Sequence, residues 1–153
     1  MLTMRTKYAL KALGCLAKAE QGRSLLAAEI AEREKIPRKF LDVILCELKQ
    51  LGFVTSRRGR GGGYRLASSP KQLTIGAVLR ALEGPIAPVT CLARTADEPC
   101  AGCSNELTCG IRLLLKGPYE AAAGKLDKTT FSDMVRRIEQ AEKIPAHVPR
   151  YSI

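Results

Sequence analysis

Four cysteines are the residues with the clearest chemical potential in this 153-residue chain: Cys91, Cys100, Cys103 and Cys109. Thiolates bind soft metals, and a structural zinc site requires four ligands with a closely spaced pair, which Cys100 and Cys103 provide. The same pair could instead form a reversible disulfide, or the cysteines could be inert loop residues. A cysteine nucleophile is not expected, because the single histidine, His147, lies in the C-terminal tail, where it cannot serve as its base.

Two further cysteines, Cys15 and Cys46, lie in helical, largely apolar contexts, and the sequence predicts that both are small core residues. A disulfide framework is not expected in a cytoplasmic protein. The cytoplasm is the default location, because Arg5, Lys7 and Lys11 interrupt any signal-peptide pattern. The sequence contains no run of about 18 apolar residues, so no membrane span is predicted.

Positive charge is concentrated in the first part of the chain. Residues 1–66 carry fourteen Lys and Arg against six Asp and Glu, a net charge of +8. Residues 67–153 carry eleven against nine, a net charge of +2. A concentrated basic face suits a polyanion such as DNA, whose phosphates release counterions when they are neutralised. A solvated basic surface that maintains solubility is the alternative, and charge alone does not separate the two.

A helix predicted from about Pro37 to Leu51 carries part of this basic surface. Its apolar residues recur at intervals of three and four, which predicts a stripe buried in a core. The stripe consists of Phe40, Leu41, Ile44, Leu45, Leu48 and Leu51. Pro37 suits the first turn of this helix, and Gly52 suits its end.

A short hairpin is predicted directly after this helix. Residues 53–55 favour a strand, Gly59 to Gly63 a glycine-rich turn, and residues 64–66 the returning strand. Two earlier helices are predicted, one over residues 5–20 and one that Ser24 caps and that runs to about Lys35. Helix, turn, helix and hairpin in this order indicate a winged helix-turn-helix, whose later helix enters the major groove.

A long helix is predicted over about residues 107–126, and Gly117-Pro118 is expected to kink or split it. Its apolar stripe is broader than one small domain needs. We therefore predict a dimer seam, with packing against the first helix as the alternative. The stripe consists of Leu107, Ile111, Leu114, Leu115, Tyr119, Ala122, Ala123 and Leu126.

The predicted fold is mainly α with a small β-hairpin wing: a winged helix-turn-helix followed by a long C-terminal dimerisation helix. Thr74 and Thr130 can cap shorter helices on either side of the long one. The chain then divides into four segments. They are a winged helix-turn-helix domain (1–84), a cysteine-bearing sensor loop (85–106), the dimerisation helices (107–144) and a flexible tail (145–153).

Several motifs resemble those of the IscR/NsrR-type family of bacterial winged-helix transcription regulators, over nearly the whole chain. They are Lys7-Tyr8-Ala9-Leu10, Ile36-Pro37 with Phe40-Leu41-Asp42, Leu51-Gly52-Phe53-Val54, Arg58-Gly59-Arg60-Gly61-Gly62-Gly63-Tyr64 and the cysteine-bearing loop. The glycine triplet after an arginine in the hairpin is the most specific of them. The resemblance implies a homodimer that binds a pseudo-palindromic operator in double-stranded DNA, with repression as the expected mode, and that responds to a signal at the loop.

The resemblance also implies roles for residues of the helix and the hairpin. Asp42 matches a carboxylate that helps to select bases in the major groove, and Arg58 matches a wing arginine that enters the minor groove. Gly61, Gly62 and Gly63 would let the wing backbone approach the sugar-phosphate chain. The predicted phosphate contacts are Arg38, Lys39, Arg57 and Arg60, and Tyr64 completes the predicted DNA-binding set.

In this family, three cysteines of the loop bind an iron–sulfur cluster, and the residues that match them are Cys91, Cys103 and Cys109. Arg112 stands where some relatives have a ligating histidine, and Lys7 stands where others have a ligating aspartate. Cys100 is therefore the predicted fourth ligand. The predicted cofactor is an iron–sulfur cluster, with zinc or no cofactor as the alternatives, and the protein is not predicted to be an enzyme.

A second class of function stays open at this point. The winged helix could be the protein-binding module of an adaptor that does not bind DNA, with structural zinc on the cysteines. Binding to promoter fragments that weakens steeply with salt would favour the DNA-binding interpretation.

Overall fold

The computed structural model describes residues 2–19, 23–93, 100 and 105–143. In this part of the chain the helices are α1 (Met4–Lys18), α2 (Ala27–Glu34), α3 (Arg38–Gln50), α4 (Ile75–Glu83), α5 (Gly110–Lys128) and α6 (Phe131–Glu142), with a 3₁₀ turn at Thr90–Leu92. The strands β1 (Val54–Arg57) and β2 (Gly63–Leu66) form an antiparallel hairpin, the wing. The predicted fold class, a mainly helical winged helix-turn-helix followed by a long helix, is confirmed.

The core surrounds α1, which packs against α2, α3, α4 and α6. Four residues of the stripe predicted on α3 are buried in this core: Leu41, Ile44, Leu45 and Leu48. The prediction was wrong for Phe40, whose exposed fraction is 63%, and for Leu51, which is 40% exposed. Successive residues of an α-helix are rotated by about 100°, so Phe40 lies at the edge of the buried arc that Leu41 and Leu48 define.

The two isolated cysteines differ in burial. Cys15 of α1 is buried, as predicted. Cys46 of α3 is exposed, so its predicted place in the core was wrong. Cys46 directly follows the buried Leu45, and the helical rotation carries it to the opposite side of α3. An apolar sequence neighbourhood therefore does not bury this thiol.

The segment before α2 forms part of the wing and does not cap a helix. Leu25 and Tyr64 form an antiparallel bridge, in which each N–H donates to the other carbonyl at 2.9 and 2.8 Å. The predicted Ser24 cap was wrong, because α2 begins only at Ala27. The backbone N–H of Leu26 donates to Oε2 of Glu29 at 2.7 Å and so links the segment to the first turn of α2.

The first strand of the wing runs from Val54 to Arg57 and is one residue longer than the predicted strand at residues 53–55. Val54 pairs with Leu66 and Arg57 with Gly63, and residues 58–62 form the turn. Gly63 has a φ of 127°, and a Cβ placed on it would lie 2.5 Å from the carbonyl oxygen of Leu25. Gly63 is therefore required where the wing touches the segment before α2.

The long helix α5 begins at Gly110, three residues later than predicted, and continues through Pro118 to Lys128. Gly117-Pro118 does not split the helix, and the predicted alternative, a kink at this point, stays a prediction. α5 packs on α4 at a close crossing, where a Cβ on Gly76 would lie 3.1 Å from the carbonyl carbon of Leu126. Arg80 of α4 and Asp127 of α5 form an ion pair beside this crossing.

The shorter helices begin where the sequence predicted. The Ala77 N–H donates to Oγ1 of Thr74 at 3.2 Å, and the Asp133 N–H donates to Oγ1 of Thr130 at 3.1 Å. Phe131, at the start of α6, is fully buried, and α6 covers α1. The division of the chain into four segments stays a prediction, and the predicted tail, 145–153, lies outside the described residues.

Candidate nucleic-acid interface and cysteine loop

The exposed face of α3 carries three residues of the predicted interface: Arg38, Lys39 and Asp42. Arg38 and Asp42, one turn apart, form an ion pair in which both side chains are about half exposed. Lys39 has no ion pair within the described residues. The face therefore offers one uncompensated cation and one neutral pair at the N-terminal half of α3.

Contacts to two other helices fix the position of α3. Arg5 of α1 lies 3.0 Å from Oε1 of Glu47 on α3 and donates to the carbonyl oxygen of Leu82 on α4 at 2.6 Å. Next to this contact, Glu83 accepts hydrogen bonds from the N–H and hydroxyl of Thr3 at 2.9 and 2.7 Å. Hydrogen bonds from Thr6 and Thr3 lower the pKa of Glu83 to about 2.

The wing carries the other predicted cations. Arg57, Arg58 and Arg60 are exposed, and none forms an ion pair with a described residue. Gly59 and Gly61 have φ values of 90° and 73°, and the Gly62 N–H donates to the Gly59 carbonyl at 2.9 Å. These dihedrals turn the chain tightly, so the three arginines are displayed at the tip of the hairpin.

The glycine triplet has structural reasons within the wing itself. A Cβ on Gly62 would collide with the carbonyl oxygen of Arg57, and a Cβ on Gly63 would collide with that of Leu25. Gly61 has a positive φ but open space around it. Tyr64 is half buried against the core, and its backbone forms the bridge to Leu25. The contacts predicted between these four residues and DNA stay predictions.

Helix and wing together could engage two grooves of one duplex. An α-helix with its side chains is about 10–12 Å wide, which matches the major groove of B-DNA. β1 packs against α3, so the hairpin extends from the helix and its arginines could reach an adjacent groove. Sequence reasoning missed two exposed apolar residues of α3, Phe40 and Val43, because the apolar stripe alone does not show which of its edges is open.

The structure brings two of the loop cysteines together. Cys91 lies in the 3₁₀ turn, and its N–H donates to Sγ of Cys100 at 3.4 Å. The hydrogen bond from this N–H lowers the pKa of Cys100, whereas the hydrogen bond with Cys100 raises the pKa of Cys91. Cys103, the other half of the Cys100 pair predicted from spacing, lies outside the described residues.

Arg112 connects this loop to α5. Its Nη1 donates to the carbonyl oxygen of Cys91 at 2.5 Å and lies 3.4 Å from Oε2 of Glu106. Cys109 occupies the N-cap position of α5, three residues before Arg112. The sequence signalled Arg112 only as a replacement for a ligating histidine, and its contact with the loop was not predicted. Among the described residues, no group of three or more His, Cys, Asp or Glu side chains is arranged to hold a metal.

The N-terminal half of α5 and the residues before it form an apolar surface that the described part of the chain leaves uncovered. Leu107 is 81% exposed and Leu114 is 74% exposed. Ile111 and Leu113 are also exposed. α5 packs on α4, whereas α6 covers α1, and the dimer seam on α5 stays a prediction. No helix in the described ranges is long and apolar enough to cross a membrane.

Comparison with known proteins identifies the family. The profile "Rrf2: Iron-dependent Transcriptional regulator" matches residues 2–137. An rrf2-like HTH-type transcriptional regulator of Rhodobacter capsulatus is 39% identical over 147 residues, which are 94% of this chain and 98% of the relative. The HTH-type transcriptional regulator NsrR of Bacillus subtilis is 34% identical over 143 residues, which are 94% of this chain and 95% of the relative.

Solved structures agree with this assignment. CymR (YrzC), the global cysteine regulator of B. subtilis, has a TM-score of 0.72 at 30% identity and covers 90% of this chain and 97% of its own. IscR of T. potens has a TM-score of 0.74 at 23% identity, over 95% of this chain and 93% of its own, and supports the fold alone. These relatives are regulators and not enzymes, as predicted for this chain. The chain therefore belongs to the Rrf2 family of bacterial DNA-binding transcription regulators.

Proposed function

We propose that this regulator is a homodimeric repressor that binds a pseudo-palindromic operator, and that an iron–sulfur cluster on the cysteine loop controls its binding. The observation that carries the proposal is the contact of Arg112 with Cys91, because it joins the thiol-bearing loop to the helix with the exposed apolar face. The description of the matching family as iron-dependent supports the choice of cofactor.

The proposed mode of DNA binding places α3 in the major groove and the wing tip in the minor groove. Arg38, Lys39 and Asp42 face the major groove, while Arg58 enters the minor groove, where negative potential is strongest. Arg57 and Arg60 contact phosphates and set the register of the complex. The excess of eight positive charges in residues 1–66 supports this arrangement.

The proposed dimer forms along the apolar surface at the start of α5. Burying a fully exposed leucine contributes about 1.5–3 kcal/mol, so pairing Leu107, Ile111 and Leu114 with a second copy provides a substantial driving force. The two α3 helices would then be held at a fixed separation, as a pseudo-palindrome requires. Sedimentation of the full chain and of Leu114→Lys tests this part, and a dimer that persists in the variant contradicts it.

The loop residues fit an iron–sulfur cluster by their donor chemistry. Cys91 and Cys100 already lie next to each other, and Cys109 occupies the N-cap position of α5, three residues before the Arg112 that contacts Cys91. Cys91, Cys100, Cys103 and Cys109 would hold the cluster. When bound, it would supply a redox-active group whose integrity depends on oxidants and on iron supply.

A chain of contacts connects the loop to the DNA-binding helix. Arg112 links Cys91 to α5, the Arg80–Asp127 pair and Gly76 link α5 to α4, and Arg5 links α4 to α3. A change at the loop would therefore reorient α5 and alter the separation of the two α3 helices. Recognition helices that no longer match the operator spacing lose binding free energy.

Anaerobic purification with quantified iron and sulfide tests the cofactor. Iron, sulfide and a brown colour support the cluster, whereas zinc alone or neither metal contradicts it. Cys103→Ala should then change both operator affinity and the response of that affinity to oxidant. If it changes neither, the proposed control by the loop is wrong.

The contact between Cys91 and Cys100 favours a second candidate, a thiol–disulfide switch without a metal. A peroxide would accept two electrons and two protons as the Sγ atoms join, and a thiol reductant would reverse the step. Mass spectrometry of peroxide-treated metal-free protein tests it. A Cys91–Cys100 disulfide that alters operator affinity supports this candidate, and an unchanged affinity after complete oxidation rejects it.

A further inference from the structure

Two exposed apolar side chains lie on the N-terminal half of α3. Phe40 is 63% exposed and Val43 is 66% exposed. They are three positions apart, so they are neighbours on one side of the helix. Neither belongs to the set that anchors α3 in the core, which consists of Leu41, Ile44, Leu45 and Leu48. Phe40 and Val43 together form an apolar step on the surface of α3.

Charged groups surround the apolar step on the same helix. Lys39 lies between Phe40 and the Arg38–Asp42 pair, and Lys49 is exposed two turns further on. The wing, whose first strand contacts α3, adds Arg57, Arg58 and Arg60 at its tip, without ion pairs to described residues. A basic surface around the two apolar side chains suits a polyanion. It is unfavourable for an apolar protein partner, because binding of that partner would desolvate these charges.

Duplex DNA offers one apolar group to a helix in its major groove, the C5-methyl group of thymine. In a helix-turn-helix unit, the N-terminal residues of the second helix contact the base edges. Phe40 and Val43 occupy the first and second turns of α3, whose range begins at Arg38. Their position, exposure and surroundings therefore match base edges that carry methyl groups.

We infer that Val43, with Phe40 beside it, is a specificity-determining residue that selects thymine through its C5-methyl group. The inference rests on the proposed placement of α3 in the major groove and adds a base class to it. Asp42 accepts hydrogen bonds from base donors, Lys39 contacts base acceptors or phosphates, and Val43 distinguishes thymine from cytosine, whose edge has no methyl group and presents an amino donor. Each half-site therefore contains at least one thymine that Val43 requires.

The test uses full-length protein and a duplex enriched from a random pool by repeated binding. Each thymidine of the enriched duplex is replaced by deoxyuridine, which removes only the methyl group. At one symmetric pair of positions we expect wild-type affinity to fall about fourfold per half-site, the effect of losing one methyl-sized apolar contact. Val43→Ala should bind the parent duplex more weakly and lose this sensitivity to deoxyuridine, while other positions behave as in wild type.

Leu51→Ala is the matched control, because it truncates an exposed leucine of the C-terminal cap of α3, about 12 Å along the axis from Val43. It should keep the full deoxyuridine penalty. If every thymidine can be replaced without loss, or if Val43→Ala retains the penalty, the inference is wrong while the proposed DNA-binding mode stands. If no duplex is enriched at all, the proposed function itself fails.

Discussion

Nε of Arg38 lies 2.9 Å from Oδ1 and 3.0 Å from Oδ2 of Asp42 on the exposed face of α3. An ion pair this exposed adds little to stability. Its importance lies in charge, because Asp42 neutralises the cation closest to the start of the helix. The exposed face of α3 is therefore less basic than the sequence alone suggests, and we expect Asp42 to limit indiscriminate binding to phosphates.

Replacing Asp42 by asparagine should strengthen binding to random-sequence duplex. The substitution frees Arg38 to neutralise a phosphate, so affinity at low salt should rise several-fold and the slope of log K against log salt should steepen by about one unit. Fluorescence anisotropy across a salt series measures both. Glu120→Gln removes an exposed carboxylate of α5 and should leave the slope unchanged. An equal slope in wild type and Asp42→Asn would contradict the neutralising role.

Replacing Arg58 by alanine should weaken operator binding about tenfold or more. Arg58 has no partner for its charge among the described residues, so the loss comes from its contact with DNA and not from the fold. The salt slope should become shallower by about one unit. Lys125→Ala, on α5, provides a control of equal charge. Equal affinities for the two variants would exclude a contact between the wing tip and DNA.

Replacing Gly63 by alanine should destabilise the protein more than replacing Gly61. Both glycines have positive φ, but only at Gly63 would a Cβ meet a backbone atom, the Leu25 carbonyl oxygen at 2.5 Å. We expect about 1 kcal/mol of backbone strain for Gly61→Ala and at least about 2–3 kcal/mol for Gly63→Ala. Urea unfolding measures the difference, and similar midpoints would show that the bridge between Leu25 and Tyr64 does not matter.

Glu83 should make stability depend on acid pH. Hydrogen bonds from Thr6 and Thr3 lower its folded pKa from 4.5 to about 2. The unfolded chain therefore binds this proton first, so the stabilisation is complete above pH 4.5 and disappears as the pH falls towards 2. At neutral pH the unfolding midpoint of wild type should be higher than that of Glu83→Gln, and this difference should disappear as the pH falls from 4.5 to 2. Glu32→Gln, on the exposed side of α2, should change neither the unfolding midpoint nor its pH dependence. A difference between wild type and Glu83→Gln that stays constant with pH would contradict this role of Glu83.

Replacing Arg112 by alanine should loosen the cysteine loop. The Cys91 carbonyl loses its charged donor, so backbone amides at 90–93 and in the first turn of α5 should exchange hydrogen several-fold faster. Hydrogen exchange of metal-free protein under reducing conditions measures this effect. Lys116→Ala, one turn further along α5, is the control. If exchange at these amides is the same in both variants, Arg112 does not couple the loop to the helix.

Periodicity predicted the buried row of α3 but not its limits. Leu41, Ile44, Leu45 and Leu48 lie within one arc, which any packing against α1 has to bury. Phe40 lies just outside this arc and Cys46 lies on the opposite side of α3, so both are exposed although the sequence around them is apolar. Which part of a helix surface is covered depends on tertiary packing, so the apolar pattern of one helix does not show it.

The cysteine loop was the least predictable part of the site. The spacing of Cys100 and Cys103 suggested a pair, which stays a prediction because Cys103 lies outside the described residues. The contact of Cys100 with Cys91, nine residues away, was not predicted. No periodic signal exists for residues held by an irregular backbone. The contact of Arg112 with the loop has the same origin, because one side chain bridges residues that are 21 positions apart.

The bridge between Leu25 and Tyr64 has a consequence for protein engineering. A hairpin transplanted from another regulator as residues 54–66 alone would lack the backbone bridge from Leu25 to Tyr64, which supports the wing next to its turn. The donor's equivalent of residues 24–26 has to be transplanted together with the hairpin, and the position of Gly63 has to remain glycine. The smallest exchangeable module of this protein is therefore discontinuous in sequence. Chimaeras that exchange only the hairpin would carry the wing arginines on a hairpin without its native support.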